Sequence, residues 1–207
     1  MSNPVYRFCH LTARMLAHVF FDHKVIHAER LIENGPALIV CNHVSYLDPP
    51  MVGIAFRRPI WFLARKTLFR GFGAWLYPRL QVIPVDQEVP DMTGLKNIIR
   101  LLQRGERVLL FPEGARSWDG QLQQGEPGVG LVAAKARVPV LPVRIFGAHE
   151  AMPRGASLPR SARVRVVVGE PLRFSEEELA GKGKELYARL SRRMMEAIDA
   201  ITLPEHL

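Results

Sequence analysis

ALIVCNHVSYLDPP, residues 37–50, runs from an apolar block to a histidine, an aspartate five places on and two prolines. The block follows Asn34-Gly35-Pro36. A short apolar run bounded by turn residues reads as a buried strand, here Ala37 to Cys41. Asn42 and His43 sit where that strand runs out. Asp48-Pro49-Pro50 has the pattern of a helix start, with Asp at the cap and Pro at the first helical position. Met51, Val52, Ile54, Ala55 and Phe56 continue it as an apolar helix. His43 and Asp48 therefore lie on a strand-to-helix connection. On a regular helix five residues turn the chain by about 500°, leaving the two side chains about 140° apart. They meet only if the connection bends, and the proline pair argues for a bend. A carboxylate on one imidazole nitrogen would fix the tautomer and leave the other nitrogen as a base. Taken alone, the plainer reading is a helix cap beside a polar strand end.

Working outward, strand-like and helix-like blocks alternate, which predicts an α/β fold. The expected fold is a single domain with a mixed, mostly parallel central sheet flanked by helices. The chain has 207 residues, 48% of them hydrophobic and 23% charged, enough for one sizeable core. Strands are expected at Val25–Leu31 on an edge, then at Ile60–Ala64, Val82–Val85, Val108–Phe111, Val138–Phe146 and Arg163–Val168. The last alternates Arg and Val at its start, which predicts one exposed face there. Helices are expected through Phe69–Leu76, Asp91–Leu102 and Gly128–Arg137. A final helix follows the capping box Ser175-x-x-Glu178. Gly181 and Gly183 threaten its first turns, and its stripe of Leu186, Leu190, Met194, Ala197 and Ile201 is core packing.

Two cysteines, Cys9 and Cys41, far apart in apolar contexts, give neither a disulfide framework nor metal-ligand spacing. The net charge of +8, from 28 basic and 20 acidic residues, favours an anionic partner: a membrane surface, a phosphorylated substrate or nucleic acid. The basic clusters lack zinc-finger spacing or an aromatic RNA-binding signature, so no nucleic acid is expected as a partner. At the N-terminus, Val5 to Phe21 is apolar at helical spacing but interrupted by Arg7, His10, Arg14 and His18. It is too short and too polar for a spanning helix, which needs about 20 mostly apolar residues. Residues 1–24 are read as an N-terminal amphipathic helix, either docked on the core or lying in a membrane interface. Residues 25–207 form the main domain.

RVLLFPEGARSWDG, residues 107–120, repeats the design of the opening stretch. A buried strand ends in a loop carrying Glu113, Gly114, Arg116 and Ser117. Ligand sites in open α/β sheets lie beyond the carboxyl ends of strands, so two such loops can form one site. Arg116 can grip a phosphate with its planar fork of donors, and Gly114 lets backbone approach a ligand closely. The plainer reading of this motif alone is a glycine turn with a surface salt bridge.

Together, Asn42-His43-x-x-x-x-Asp48 and Phe111-Pro112-Glu113-Gly114-x-Arg116-Ser117 resemble the motifs of the glycerolipid acyltransferases. The best-known members are the 1-acyl-glycerol-3-phosphate (lysophosphatidate) acyltransferases. The order and separation of the motifs match, and Val138-Pro139-Val140-Leu141-Pro142-Val143 is similar to the family's later valine- and proline-rich strand. The resemblance covers about residues 25–172 and implies transfer of a fatty acyl group from an acyl-CoA or acyl-carrier-protein thioester to a glycerolipid hydroxyl. It implies His43 as general base and Asp48 as the group that orients and stabilises its imidazolium. Glu113, Gly114, Arg116 and Ser117 would form the acceptor-binding loop, with Arg116 on the acceptor phosphate and Glu113 positioning the glycerol end. Lys66 resembles a family lysine after the Ile60–Ala64 strand. No metal and no permanently bound cofactor are implied. The implied setting is the cytoplasmic face of the membrane, peripheral or monotopic, on an anionic surface.

Two departures bear on the acceptor. Relatives often carry an arginine where Ile83-Pro84-Val85-Asp86 is followed by Gln87, and a basic residue where Glu126 precedes Gly128. Both changes weaken a phosphate-bearing acceptor more than they weaken acyl transfer. The alternatives are an acyltransferase for a lysolipid without that phosphate, a thioesterase using water, and, in a different class, a basic nucleic-acid-binding protein.

Overall fold

The computed structural model describes residues 3–85 and 92–204. Helix α1 (Pro4–Phe21) leads into strand β1 (Lys24–Ile26), followed by β2 (Ala37–Cys41), α2 (Asp48–Gly53), β3 (Trp61–Arg65) and the short α3 (Phe72–Leu76). Then come β4 (Val82–Val85), α4 (Met92–Gln103), β5 (Arg107–Leu110), α5 (Pro127–Ala136) and β6 (Val140–Phe146). The short α6 (Ala148–Ala151), β7 (Arg165–Val168) and α7 (Lys184–Asp199) complete the order. The strands form one seven-stranded sheet in the order β1-β7-β6-β2-β5-β3-β4. All neighbouring pairs are parallel except β6 with β7. This is the expected α/β domain with a mostly parallel sheet.

The central strands β2 and β5 are buried on both faces, and the strand period of two decides what goes where. Leu38 and Val40 of β2 join Val108 and Leu110 of β5 in a core with α4, α5 and α7. Ile39, Cys41 and Leu109 point the other way, into a core with α1, α2 and α6. The continuous apolar block of residues 37–41 is therefore a central strand with two covered faces. Helices α5 and α7 meet closely at Gly130, where an added Cβ would lie 1.9 Å from the Tyr187 carbonyl oxygen.

Several elements differ from expectation for local reasons. The edge strand predicted over Val25–Leu31 stops at Ile26, because His27 turns into the left-handed region (φ 59) and Ala28–Arg30 forms a 3-10 turn. Helix α2 ends at Gly53 rather than continuing through Phe56. Arg165 does not mark an exposed face: it is 5% exposed, and its guanidinium is bonded to the carboxylate and carbonyl of Asp22 at the end of α1. The capping box forms, with Glu178 N–H donating to Ser175 Oγ (3.2 Å) and Ser175 N–H to Glu178 Oε2 (2.9 Å). It closes a separate turn. Gly181 (φ 108) and Gly183 (φ 80) intervene, and α7 starts only at Lys184. Asp86, Gln87 and Asp91 lie outside the described residues.

Helix α1 docks through Tyr6, Ala17 and Phe21. Phe8, Leu11, Met15 and Val19 on its other side are each more than 60% exposed. At about 100° per residue these four fall within an arc of about 80°. Among the described residues no helix is long and apolar enough to cross a membrane.

Candidate active site

Strands β2 and β5 are parallel neighbours, so both open their following loops at the same edge of the sheet. The two motifs are thereby brought side by side. Asn42 makes the transition out of β2. Its side-chain carbonyl accepts from Ile145 N–H (2.7 Å) and its amide donates to the Ile145 carbonyl (3.0 Å). The side chain thus continues the β2–β6 ladder past Cys41 while the backbone turns away. A side-chain amide suits this task because it carries one donor and one acceptor, like a peptide unit.

The chain then winds around one carboxylate oxygen. Asp48 Oδ2 accepts from Val44 N–H (2.7 Å), Ser45 N–H (2.7 Å) and His43 Nδ1–H (2.8 Å). Asp48 is the first residue of α2, but its side chain reaches back upstream rather than capping that helix, which has no side-chain cap. This is the bend that the proline pair implied. Since Oδ2 is an acceptor, Nδ1 carries the proton and Nε2 presents its lone pair. The imidazole also stacks on Phe111, with ring centroids 4.0 Å apart and planes at 17°. Bond and stack together hold the ring in one orientation. The Asp48 carboxylate is 0% exposed, and Oδ1 has no hydrogen-bond partner among the described residues. Burial raises its pKa, opposed by the bonds from His43 and the two backbone N–H groups. A buried carboxylate with one unsatisfied oxygen gains most when its neighbour becomes a cation, which is what an imidazolium supplies.

The second loop is fastened to the first. Ser117 N–H donates to the His43 carbonyl (2.8 Å), and His43 N–H donates to Glu113 Oε1 (2.7 Å). Gln123 N–H donates to Glu113 Oε2 (3.0 Å). Both carboxylate oxygens of Glu113 therefore hold backbone, leaving only their remaining lone pairs to a ligand. Pro112 sits at the second position of the tight turn closed by Gly114 N–H on the Phe111 carbonyl (3.1 Å). Gly114 has φ 70, and a Cβ there would lie 3.2 Å from Glu126 Cγ. Ser117 is buried, and its hydroxyl donates to Asp119 Oδ1 (2.7 Å).

Arg116 lies with its guanidinium carbon 3.4 Å from the centroid of the Tyr46 ring, which belongs to the His43 loop. Its Nη1 is buried without a hydrogen-bond partner among the described residues. Lys66 begins the 3-10 turn directly after β3, and the adjacent Arg65 is within electrostatic reach of Arg116. The structure thus brings His43, Asp48, Glu113, Gly114 and Arg116 together and gives Ser117 an internal partner. Sequence reading missed Asn42 as a latch, Phe111 and Tyr46 as ring supports, and Gln123 as a partner of Glu113. Asn42, Phe111 and Tyr46 lie within the quoted motifs. Gln123 carries no sequence signal, because its bond to Glu113 is made by the backbone N–H. Cys41 is buried, and burial pushes its thiol pKa well up, so it is no nucleophile at neutral pH.

Burial pushes the Glu113 carboxyl up to about 7, against the two backbone hydrogen bonds. Its folded pKa exceeds its unfolded value of 4.5, so its contribution to stability is complete below pH 4.5 and is lost as pH rises through 7. From pH 5 to 8 that loss is on the order of 2 kcal/mol. Asp48 shifts in the same direction, so the comparison must be with Glu113→Gln, which removes only the Glu113 contribution. We predict that chemical denaturation at pH 5 and pH 8 shows a smaller fall in stability for the variant than for the parent. Parallel pH profiles would contradict this assignment.

Comparison with known proteins agrees with the geometry. The chain is 28% identical over 197 residues to a 1-acyl-sn-glycerol-3-phosphate acyltransferase of Bacillus subtilis, covering 90% of this chain and 95% of that one. It is 29% identical over 182 residues to a chloroplastic 1-acyl-sn-glycerol-3-phosphate acyltransferase of Arabidopsis thaliana, covering 84% of this chain and 51% of that one. It thus spans about half the length of such chloroplast relatives. The crystal structure of the 1-acyl-sn-glycerophosphate acyltransferase PlsC from Thermotoga maritima superposes with a TM-score of 0.72 at 27% identity, covering 96% of this chain and 81% of that one. Residues 22–146, which contain both loops and the strands that carry them, match the family described as Acyltransferase, and to that family the chain belongs.

Proposed function

We propose that the protein moves a fatty acyl group from an acyl-CoA or acyl-carrier-protein thioester to the free hydroxyl of lysophosphatidate, giving phosphatidate. The observation that carries this reading is the His43–Asp48 pair, with Nε2 unbonded among the described residues, beside a loop that carries a guanidinium. The similarity to enzymes named for 1-acyl-sn-glycerol-3-phosphate supports the acceptor.

In this reading His43 Nε2 takes the proton of the acceptor hydroxyl as its oxygen attacks the thioester carbonyl carbon. A hydroxyl is a weak nucleophile at neutral pH, so a positioned base matters. Asp48, fixed and buried, stabilises the imidazolium so formed. Collapse of the tetrahedral intermediate forms the new ester and breaks the C–S bond, and the imidazolium returns its proton to the departing thiolate. A thiol, with a pKa of about 8.5, leaves readily, so no covalent enzyme intermediate is needed. Arg116 holds the acceptor phosphate, Lys66 adds positive charge, Glu113 positions the glycerol end, and Gly114 and Ser117 shape the loop.

Residues 1–24 act as an interfacial segment for the acyltransferase domain of residues 25–207, at the cytoplasmic face of an anionic membrane. The exposed stripe of Phe8, Leu11, Met15 and Val19 supports this, flanked by the exposed Arg7, Arg14 and His18. Such a surface binds through both apolar area and screened charge.

Two outcomes follow. In a panel of lysolipids with labelled acyl-CoA and acyl-carrier protein, lysophosphatidate should give phosphatidate. His43→Ala should lose 10²–10⁴-fold in turnover while keeping the parent's thermal unfolding. Near-normal turnover of the folded variant, or release of free fatty acid as the main product, would refute the reading. Changing Phe8, Leu11, Met15 and Val19 together to serine should abolish sedimentation with anionic liposomes, since these side chains face outward and leave the core intact. Unchanged sedimentation would place the membrane contact elsewhere.

A further inference from the structure

We infer that Arg154 is a specificity-determining residue, the second guanidinium of a two-arginine clamp that closes with Arg116 on the acceptor's phosphate. The inference rests on the proposed acceptor and adds a residue that lies outside both sequence motifs.

Arg154 comes from a third loop, after α6, and so from the strand on the other side of β2. Its Nη1 donates to the Arg116 carbonyl (2.7 Å), and its guanidinium carbon sits 4.0 Å from the Trp118 ring centroid. The loop is tied to the catalytic one, because Ser45 Oγ donates to the Met152 carbonyl (2.8 Å). Arg154 is thus held in register with both His43 and Arg116. Each guanidinium rests on an aromatic face, Arg116 on Tyr46 and Arg154 on Trp118, which orients a planar fork while leaving its edge for an anion.

The local charge balance favours an anionic ligand. Among the described residues no carboxylate pairs with Arg65, Arg116 or Arg154, although the acids of this protein pair with five other arginines: Arg30, Arg107, Arg137, Arg144 and Arg165. Asp119, in the Arg116 loop, holds Ser117 Oγ–H and Gln121 N–H on its Oδ1 and pairs with none of these three arginines. Arg116 Nη1 is buried without a hydrogen-bond partner among the described residues, a costly state for a charged donor that an anionic ligand would relieve. Burial lowers the Arg116 pKa, Tyr46 opposes the fall, and the nearby cations Arg154 and Arg65 add to it. Of the five N–H donors of Arg154, one holds the Arg116 carbonyl and no other has a partner among the described residues. A phosphate monoester, doubly charged with three terminal oxygens, suits two such forks. An uncharged glycerol end offers them only neutral hydroxyl acceptors, which bind more weakly.

The test compares specificity constants for lysophosphatidate and for the monoacylglycerol with the same chain, in the parent, Arg154→Gln and Arg154→Lys. We expect the ratio favouring lysophosphatidate to fall at least about tenfold in Arg154→Gln, mainly through KM, the scale of one lost charge-assisted contact. Arg154→Lys, which keeps the charge but not the fork, should fall between. The inhibition constant of glycerol 3-phosphate against lysophosphatidate should rise in the same order. If Arg154→Gln weakens both acceptors equally, Arg154 is only a strut for the Arg116 loop and the inference fails. If the parent itself does not prefer the phosphorylated acceptor, the lysophosphatidate reading fails with it.

Discussion

Three donors converge on Asp48 Oδ2, and the geometry of the site depends on that convergence. The two backbone N–H groups of residues 44 and 45 would otherwise be buried without partners, since the chain has left β2 and α2 has not begun. An unpaired buried N–H costs roughly 1–3 kcal/mol, so the carboxylate is required for the loop to exist as well as for the imidazole to be aligned. The same atom that closes the turn sets the histidine tautomer. Loop shape and proton position are therefore one property, and a change to Asp48 cannot disturb one without the other.

That turn is useful only because of where the sheet places it. With β2 between β5 and β6 and all three parallel, the three loops that follow them open at one edge. The other two are sewn to the His43 loop: the loop after β5 by Ser117 N–H on the His43 carbonyl and His43 N–H on Glu113, and the loop after β6 by Ser45 Oγ–H on the Met152 carbonyl. The electrostatics divide along the same lines. Two buried carboxylates, Asp48 and Glu113, lie beneath the histidine, whereas guanidinium groups line the outer loops. An acceptor with an anionic end and a neutral hydroxyl would be oriented by that gradient, with the hydroxyl toward the base.

Much of this was legible in residues 37–50 and 107–120, for a physical reason. A central parallel strand is apolar on both faces, so Ala37–Cys41 appears as an unbroken block, and its end marks the sheet edge. The pairing of His43 with Asp48 was readable as a bent connection. Its form was not, because a carboxylate before two prolines looks the same whether it caps forward or folds back. Arg165 shows the opposite difficulty. Its alternation with valine matches a half-exposed strand, and only the distant Asp22 at the end of α1 makes its burial tolerable. Ser175 and Glu178 form the box that the sequence spells, but Gly181 and Gly183 separate it from the helix. Arg154 lay in a stretch with no periodicity and no motif, and it acquires meaning only through the loop contacts that place it beside Arg116.

The central claim is that Asp48 holds the His43 ring with its proton on Nδ1 and its lone pair on Nε2. Nitrogen-15 NMR of histidine-labelled protein, at a pH where the His43 ring is neutral, reads this directly, with His43→Gln identifying the resonances. The account predicts a protonated Nδ1 and an unprotonated Nε2 in the parent, and loss of that single tautomer in Asp48→Asn. A proton found on Nε2 in the parent would contradict it.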